Sequence, residues 1–185
     1  MSGYILGKKT KLRTKTLDDA RNDYQWQSDP ELAGLDATPV LTLSFPQYLT
    51  EYAKMLRLPS ARRQLFAVET FNGGRHIGNC TYYGVDVIRG EAEVGIMIGD
   101  RDCWDRGYGS DAVSTLVSYI FHHTEVKRLH LKTLHSNSRA QKCFQKCGFT
   151  PCGTMSRSGY NFVLMELYRQ DWSVKFPDQS QGGTK

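Results

Sequence analysis

The stretch WDRGYGSDA, residues 104 to 112, constrains this chain more than any other. It puts two glycines one residue apart, after an arginine and before a serine and an acid. In the residues that follow, Val113, Leu116, Val117, Ile120 and Phe121 recur at helical spacing and make one apolar stripe. The spacing predicts a helix over about residues 109 to 123. A helix start leaves backbone N–H groups without intrahelical partners and carries partial positive charge. Glycines let that backbone approach a ligand closely, and Arg106 adds a full charge. The segment just before, AEVGIMIG, reads as a strand that ends where the loop begins. The combination suits a pyrophosphate; a plain structural turn is the competing reading. The nucleotide P-loop pattern GxxxxGK[ST] is absent. Gly107, Gly109 and Ala112 do spell GxGxxA, but that dinucleotide fingerprint belongs after the first strand of a βαβ unit, and here about 100 residues with hairpins precede it.

The rest of the chain alternates strand and helix signals. TKLRTKT (residues 10 to 16) reads as a first strand, and LDDARNDYQWQSDPEL as one helix with acids at its front. Residues 36 to 63 read as a second helical region centred on FPQYLTEYAKML. Three strands follow, RQLFAVET, RHIGNCTYYGVDV and EAEVGIMIG, joined by an NGG turn at 72 to 74 and an RG turn. After the glycine loop and its helix come a strand, KRLHLKTL, and a short helix, NSRAQKCFQKCGF, closed by Gly148. FVLMELYRQDW reads as the last strand. Hairpins early and a crossover late make a mixed α+β (α/β) pattern. With no internal repeat and no linker, one domain is expected over residues 10–172, with a flexible N-terminus (1–9) and a C-terminal tail (173–185). Tyr24 and Trp26 point to the core or to a substrate pocket, with the core favoured.

Composition excludes several classes. With 39% hydrophobic and 23% charged residues the chain is an ordinary globular one. No apolar run approaches the ~18 residues that span a bilayer, and the start lacks a signal-peptide pattern, so a cytoplasmic protein without a membrane partner is expected. The net charge of +5 sits partly in the basic start, Lys8 to Lys15. That start is a solvated terminus or an anion contact; it lacks the interleaved aromatics and motif of an RNA binder, and no DNA partner is expected. Five cysteines, an odd count without CxxC, read as reduced and mostly packed thiols, Cys143 and Cys147 among them, and no metal site is expected.

Three segments in this order, AEVGIMIGDRDCWDRGYGSDAV, LHLKTLHSNSRAQKCFQKCGF and FVLMELYRQDW, together with the opening KLRTKTLDDA, resemble the GCN5-related N-acetyltransferases (GNAT), nearest the branch typified by the ribosomal-protein acetyltransferases. The resemblance spans about residues 10 to 172. It implies a single-domain GNAT fold, with a central twisted, mostly antiparallel mixed sheet of about seven strands flanked by about four helices. It implies acetyl-CoA as co-substrate and a primary amine as acceptor, either a small molecule or a protein N-terminus, with a homodimer left open. Met97, Ile98 and Gly99 would meet the pantetheine and thioester. The loop Asp105, Arg106, Gly107, Tyr108, Gly109 and Ser110 would hold the pyrophosphate, and Asn137 would touch the pantetheine arm. Lys142, with Arg139, would lie near the adenosine end, unless both are merely exposed helix charges.

An amine must lose its proton before it attacks a thioester, and a lysine amine titrates near 10.4, an α-amine near 8. A base is therefore useful. Alternation puts Glu93, Gly95 and Met97 on one strand face and Val94, Ile96 and Ile98 on the other. Glu93 resembles the acid that family members carry there; a structural carboxylate bonded across the sheet is the equal alternative. The tyrosine that relatives use as general acid is replaced by Phe144, and a serine of the ribosomal branch by Ala140. Ser136, Ser138, Tyr83 and Tyr160 are substitutes without a strong claim, and His135 reads as a loop histidine. The acids of residues 20 to 63, namely Asp23, Asp29, Glu31, Asp36 and Glu51, could greet a cationic amine. A non-catalytic CoA-binding or sensing module of the same fold is the alternative to an active enzyme.

Overall fold

A computed structural model describes residues 3–58, 60 and 63–175. One eight-stranded sheet organises it: β1 (Ile5–Leu6), β2 (Thr10–Thr14), β3 (Arg63–Thr70), β4 (His76–Asp86), β5 (Glu91–Ile98), β6 (Arg128–Leu134), β7 (Thr150–Arg157) and β8 (Tyr160–Tyr168). The spatial order is β1-β2-β3-β4-β5-β6-β8-β7. All neighbours are antiparallel except β5 and β6. The helices are α1 (Ala20–Ser28), α2 (Pro30–Leu35), α3 (Phe45–Arg57), α4 (Tyr108–His123), α5 (Ser138–Lys146) and α6 (Arg169–Lys175). The expected fold class is borne out, with eight strands and six helices where about seven and four were expected.

The differences have local causes. The expected single helix over residues 17 to 32 breaks in two because Asp29 leaves helical backbone geometry, and its side chain caps α2 through the amides of Glu31 and Leu32, with Pro30 in the first turn. The expected last strand ends at Tyr168 rather than Trp172. There Arg169 turns back and donates to the carbonyls of Thr124 and Val126, and the chain enters α6. Residues 173–175, expected in the tail, are thus helical; residues 176–185 and 1–2 lie outside the described residues. The start, expected to be flexible through residue 9, is tied down. Ile5 and Leu6 pair with β2, and the Asp111 carboxylate accepts the amides of Lys8, Lys9 and Thr10 and the Thr10 hydroxyl.

The apolar stripe of α4 does what its spacing predicts. Val113, Leu116, Val117, Ile120 and Phe121 are buried against one sheet face with Leu12, Val68, Val94 and Leu129. On that face Ile96 and Ile98 also pack. The opposite face carries α1 and α3, whose Tyr24, Phe45, Tyr48 and Tyr52 form a second cluster. Trp26 is buried beside His76, and Tyr24 is half-buried against the second cluster. Beneath this layer lies a buried ionic group: Lys15 meets Asp23 and Asn79, and Arg13 meets Asp19 and Glu69. Burial lowers the Lys15 pKa despite Asp23.

The sheet is not continuous at its middle. β5 and β6 pair only between Glu91–Glu93 and Arg128–His130, although both strands run on. From Val94 to Ile98, β5 has no β6 partner, and a wedge opens between the two strands. The α4 and α5 termini stand at its wide end.

Candidate active site

Two cavities occupy the wedge. The first, of about 220 Å³, lies on the α4–α5 side, and the second, of about 490 Å³, on the side of the β7–β8 hairpin. They share wall residues: Leu35 and Asp36 at the end of α2, Ile96 of β5, and Asn137 and Ala140 at the start of α5.

The first cavity is built largely from backbone termini. Gly107 has φ +82°, the left-handed region that favours glycine, and it is the N-cap of α4 with no side-chain cap bond. The first amides of α4 therefore face the cavity as Gly107, Gly109 and Ser110 line it. Asp105 and, across the groove, Asn137 and the cations Arg139, Lys142 and Lys146 complete this wall. Met97 and Ile98 form the strand side. Asn137 caps α5 by accepting the Ala140 amide at 3.1 Å, which leaves its NH2 to donate. Positive charge, free amides and an unpaired strand edge are what a phosphate-bearing thioester with an amide-containing arm requires.

Three expected contacts sit elsewhere. Gly99 donates its amide to the Ile77 carbonyl and lies against Trp26, where an added Cβ would stand 2.2 Å from the indole. Arg106 donates to the Asp102 carbonyl, and Tyr108 packs against the core with Lys9 over its ring. These three support the loop rather than line the cavity.

Trp104 carried no role of its own in the sequence, and Cys143 was expected only as a packed thiol. The Trp104 indole donates to the Ile98 carbonyl at 2.7 Å, and the Arg139 guanidinium stacks 3.4 Å from its ring centre, tying the strand end to α5. Interaction with Cys147 lowers the Cys143 pKa against the opposing effect of burial, and the Ser110 hydroxyl, which donates to Cys143, adds to the lowering, while the Cys147 thiol donates to the Ser110 carbonyl. Cys147 is driven up correspondingly, by its interaction with Cys143 and by burial.

The second cavity is a side-chain surface. Glu93 and Gly95 of β5 lie on the face opposite α4, next to Thr81 and Tyr83 of β4. Glu93 receives the Lys132 ammonium at 2.6 Å and a hydrogen bond from Tyr83, whose own pKa is pushed up by burial and by that bond. The carboxylate is thus both in the second cavity and bonded across the sheet. Arg157, Tyr160 and Phe162 close the far wall. A two-residue turn at Ser158 and Gly159, both with positive φ, holds Arg157 opposite Tyr160. Asp36 alone of the expected acids reaches the cavities. Asp23 is buried with Lys15 and Tyr52, Asp29 and Glu31 hold Arg101, and Glu51 pairs with Lys54. Water reaches Asp36, yet the protein crowding around it raises its pKa, partly offset by Lys132. Phe144 and Ala140 line this cavity where relatives would offer hydroxyls, and of the substitutes only Tyr83 and Tyr160 do so.

The acetyltransferase (GNAT) domain profile matches residues 9–150. The chain belongs to the GNAT acetyltransferase family. As a GNAT member it is an acetyl-CoA-dependent N-acetyltransferase, an acyltransferase with acetyl-CoA as co-substrate, and the first cavity fits that molecule's anionic and amide parts. The chain is 28% identical over 145 residues to the uncharacterized N-acetyltransferase p20 of Bacillus licheniformis, covering 78% of this chain and 80% of that one. Among solved structures it resembles the aminoglycoside acetyltransferase AAC(6')-Ib in complex with coenzyme A, with TM-score 0.74, 19% identity and coverage of 91% and 99%. It also resembles the spermidine N-acetyltransferase of Vibrio cholerae in complex with CoA and spermine, with TM-score 0.77, 17% identity and coverage of 89% and 98%. Among the described residues no helix is long and apolar enough to cross a membrane, and no group of three or more His, Cys, Asp or Glu side chains is placed to hold a metal.

Proposed function

We propose that this GNAT enzyme acetylates a small-molecule primary amine by direct attack in a ternary complex. The observation that carries the reading is the junction of the two cavities at Asp36, Ile96, Asn137 and Ala140. An amine in the larger cavity would there stand next to a thioester in the smaller one, and such placement alone supplies much of the rate. The amides of Gly109 and Ser110 bind the pyrophosphate, Lys142 lies toward the adenosine end, and Asn137 binds the pantetheine arm. Acetyl-CoA, when bound, supplies an activated acyl group on a good leaving thiol. Backbone donors on the open edge of β5 are the groups placed to face charge developing on the acyl oxygen.

Glu93 takes the amine proton in this reading, with Lys132 and Tyr83 holding it in place. A second assignment is favoured by one observation: Asp36 lines both cavities, whereas Glu93 lines only the acceptor cavity. Relatives named for aminoglycosides and spermidine support a small-molecule acceptor, while the ribosomal-protein branch would take a protein N-terminus; a protein assigned as a ribosomal-protein-serine acetyltransferase of Vibrio cholerae has TM-score 0.73. The outer edge of β7, exposed along most of its length, is where a second copy would pair in a homodimer, which sedimentation equilibrium reads directly. Five free thiols fit a reducing, cytoplasmic setting.

The test is calorimetric titration of acetyl-CoA, followed by thiol release against small amines and N-terminal peptides. Binding with turnover on small amines is expected. Binding without any turnover would convert the protein to a CoA-binding module, and failure to bind would remove the reading of the first cavity.

A further inference from the structure

The charges of the acceptor cavity are balanced rather than acidic. Glu93 and Lys132 neutralise each other at 2.6 Å. What remains is one anion and one cation on different walls: Asp36 at the junction with the cofactor cavity, and Arg157 on the hairpin wall. Arg157 is exposed to solvent, and its side chain has no ion-pair or hydrogen-bond partner among the described residues, while its backbone pairs with Tyr160 across the Ser158–Gly159 turn. A polycation entering this space would find one unpaired anion, Asp36, and would meet Arg157 with its remaining charge, and such a like-charge juxtaposition is costly. A neutral amide-terminated amine would leave the guanidinium without a partner. The site instead matches a short molecule that carries both an amine and an anionic group.

We propose that the acceptor is a compact zwitterionic amine, a free amino acid or an analogue with a similar anionic group. Its amine stands at the Asp36 end, beside the thioester position, and its carboxylate is held by Arg157. The proposal rests on the acetyl-transfer reading given above. A guanidinium presents a planar pair of donors that a carboxylate accepts, which is the geometry of strong charge-assisted hydrogen bonds. Tyr160 and Phe162 on the same wall would cover an apolar side chain of the acceptor. In the transfer itself the amine nitrogen forms the C–N bond, the C–S bond breaks, the amine proton passes to the cavity carboxylate, and CoA leaves as the thiol or thiolate.

The experiment compares matched acceptors on the full chain. Each member of a set of free amino acids is assayed beside its own carboxamide, which keeps the amine and removes the negative charge, with spermidine, kanamycin and a set of N-terminal peptides as further arms. Thiol release gives kcat/KM for each, and calorimetry gives acetyl-CoA affinity on the same protein. The expected result is a preference for carboxylate over carboxamide of roughly 10- to 100-fold, the value of a hydrogen bond to a charged group. Arg157→Ala should bring that ratio near one, and Arg157→Lys should restore part of it, with acetyl-CoA affinity unchanged in both. Faster turnover of a carboxamide, a polyamine, an aminoglycoside or a peptide than of any free amino acid would overturn the proposal alone. So would a ratio that survives Arg157→Ala. Acetyl-CoA binding without turnover of any acceptor would overturn both this proposal and the enzymatic reading, and absent acetyl-CoA binding would overturn the reading of the cofactor cavity first.

Discussion

The two halves of the wedge are made differently. The cofactor half is a product of main chain: a glycine in the left-handed region, the uncapped start of α4, and an unpaired strand edge. The acceptor half is a product of side chains that six separate segments deliver to one space, from Asp36 through Glu93 and Lys132 to Arg157. A backbone-built site tolerates wide variation in flanking side chains, because its donors are amides that every residue owns. A side-chain-built site can be retuned by single substitutions, which is how one fold serves many acceptors. The comparison predicts that substitutions in one half will move cofactor affinity, and those in the other will move turnover and acceptor choice.

The largest expected effect is on the acceptor side. Glu93→Gln should lower kcat by roughly 10²- to 10⁴-fold, the usual worth of a positioned base, with little change in acetyl-CoA affinity. Asp36→Asn is the paired experiment. If the Glu93 variant retains full turnover over the whole pH range while the Asp36 variant loses it, the base is Asp36 and the Glu93–Lys132 pair is a positioning device. Because crowding raises the Asp36 pKa, activity that depends on its ionised form should fall away on the acid side at higher pH than an ordinary carboxylate would give.

Next in size is Gly107→Asp, with Gly107→Ala as its control. At φ +82° alanine carries a strain of roughly 1–2 kcal/mol, whereas aspartate visits this region more readily. The aspartate, however, adds a negative charge beside Lys9 at the loop that would hold the phosphates. Acetyl-CoA affinity should therefore fall roughly 100-fold in the Asp variant, and less in the Ala variant, while folding stability ranks the other way. Parallel losses of affinity and stability in both would make the loop a structural turn only.

What was legible in the sequence follows the same division. The strand, loop and helix of the cofactor half are contiguous, so their periodicity and glycine placement predicted them, while Glu93 came from the family resemblance, with strand alternation giving only its face. Gly99, Arg106 and Tyr108 were legible as part of the loop, but the surroundings that turn them away, Trp26, Asp102 and Lys9, are known only once the chain is folded. Arg157 and Lys132 needed the register of β6, β7 and β8 to bring them opposite Glu93. The division of the first helix was written at Asp29–Pro30, a capping residue before a proline, and was missed by reading periodicity across it. The α6 turn was not local at all, since Arg169 leaves the sheet for carbonyls about 45 residues upstream.

A moderate effect is expected where the N-terminal segment meets the cofactor half. The Asp111 carboxylate holds three amides and one hydroxyl of residues 8–10. Asp111→Ala should destabilise the fold by about 2 kcal/mol, given that hydrogen bonds to charged groups are each worth ~1.5–3 kcal/mol and these are partly open to solvent. The urea midpoint of the full chain measures it. An unchanged midpoint would mean that β1 and the basic start add nothing to the fold, and that the charge of Lys8 and Lys9 is carried by a loose terminus.

The smallest effect tests whether the acceptor half stores charge at the expense of stability. The Asp36 pKa is raised in the fold, so between the unfolded and folded values the native state binds more protons than the unfolded chain. Its contribution to stability is then fully present below the unfolded value near 3.9 and is lost as pH rises through the folded value. At neutral pH the carboxylate is a cost, which Lys132 only partly offsets. Asp36→Asn, close in shape and uncharged, should therefore melt at or slightly above the temperature of the unaltered protein at pH 7, and the gain should shrink as pH falls toward 4. Glu93→Gln should do the reverse at pH 7, because it removes the partner of Lys132 at 2.6 Å. If both substitutions lower the melting temperature equally at pH 7, Asp36 is a structural carboxylate like Glu93, and the proton-accepting role passes back to Glu93 alone. If they diverge, Asp36 is the group kept in the cleft against the interest of the fold, which is the mark of a residue retained for chemistry.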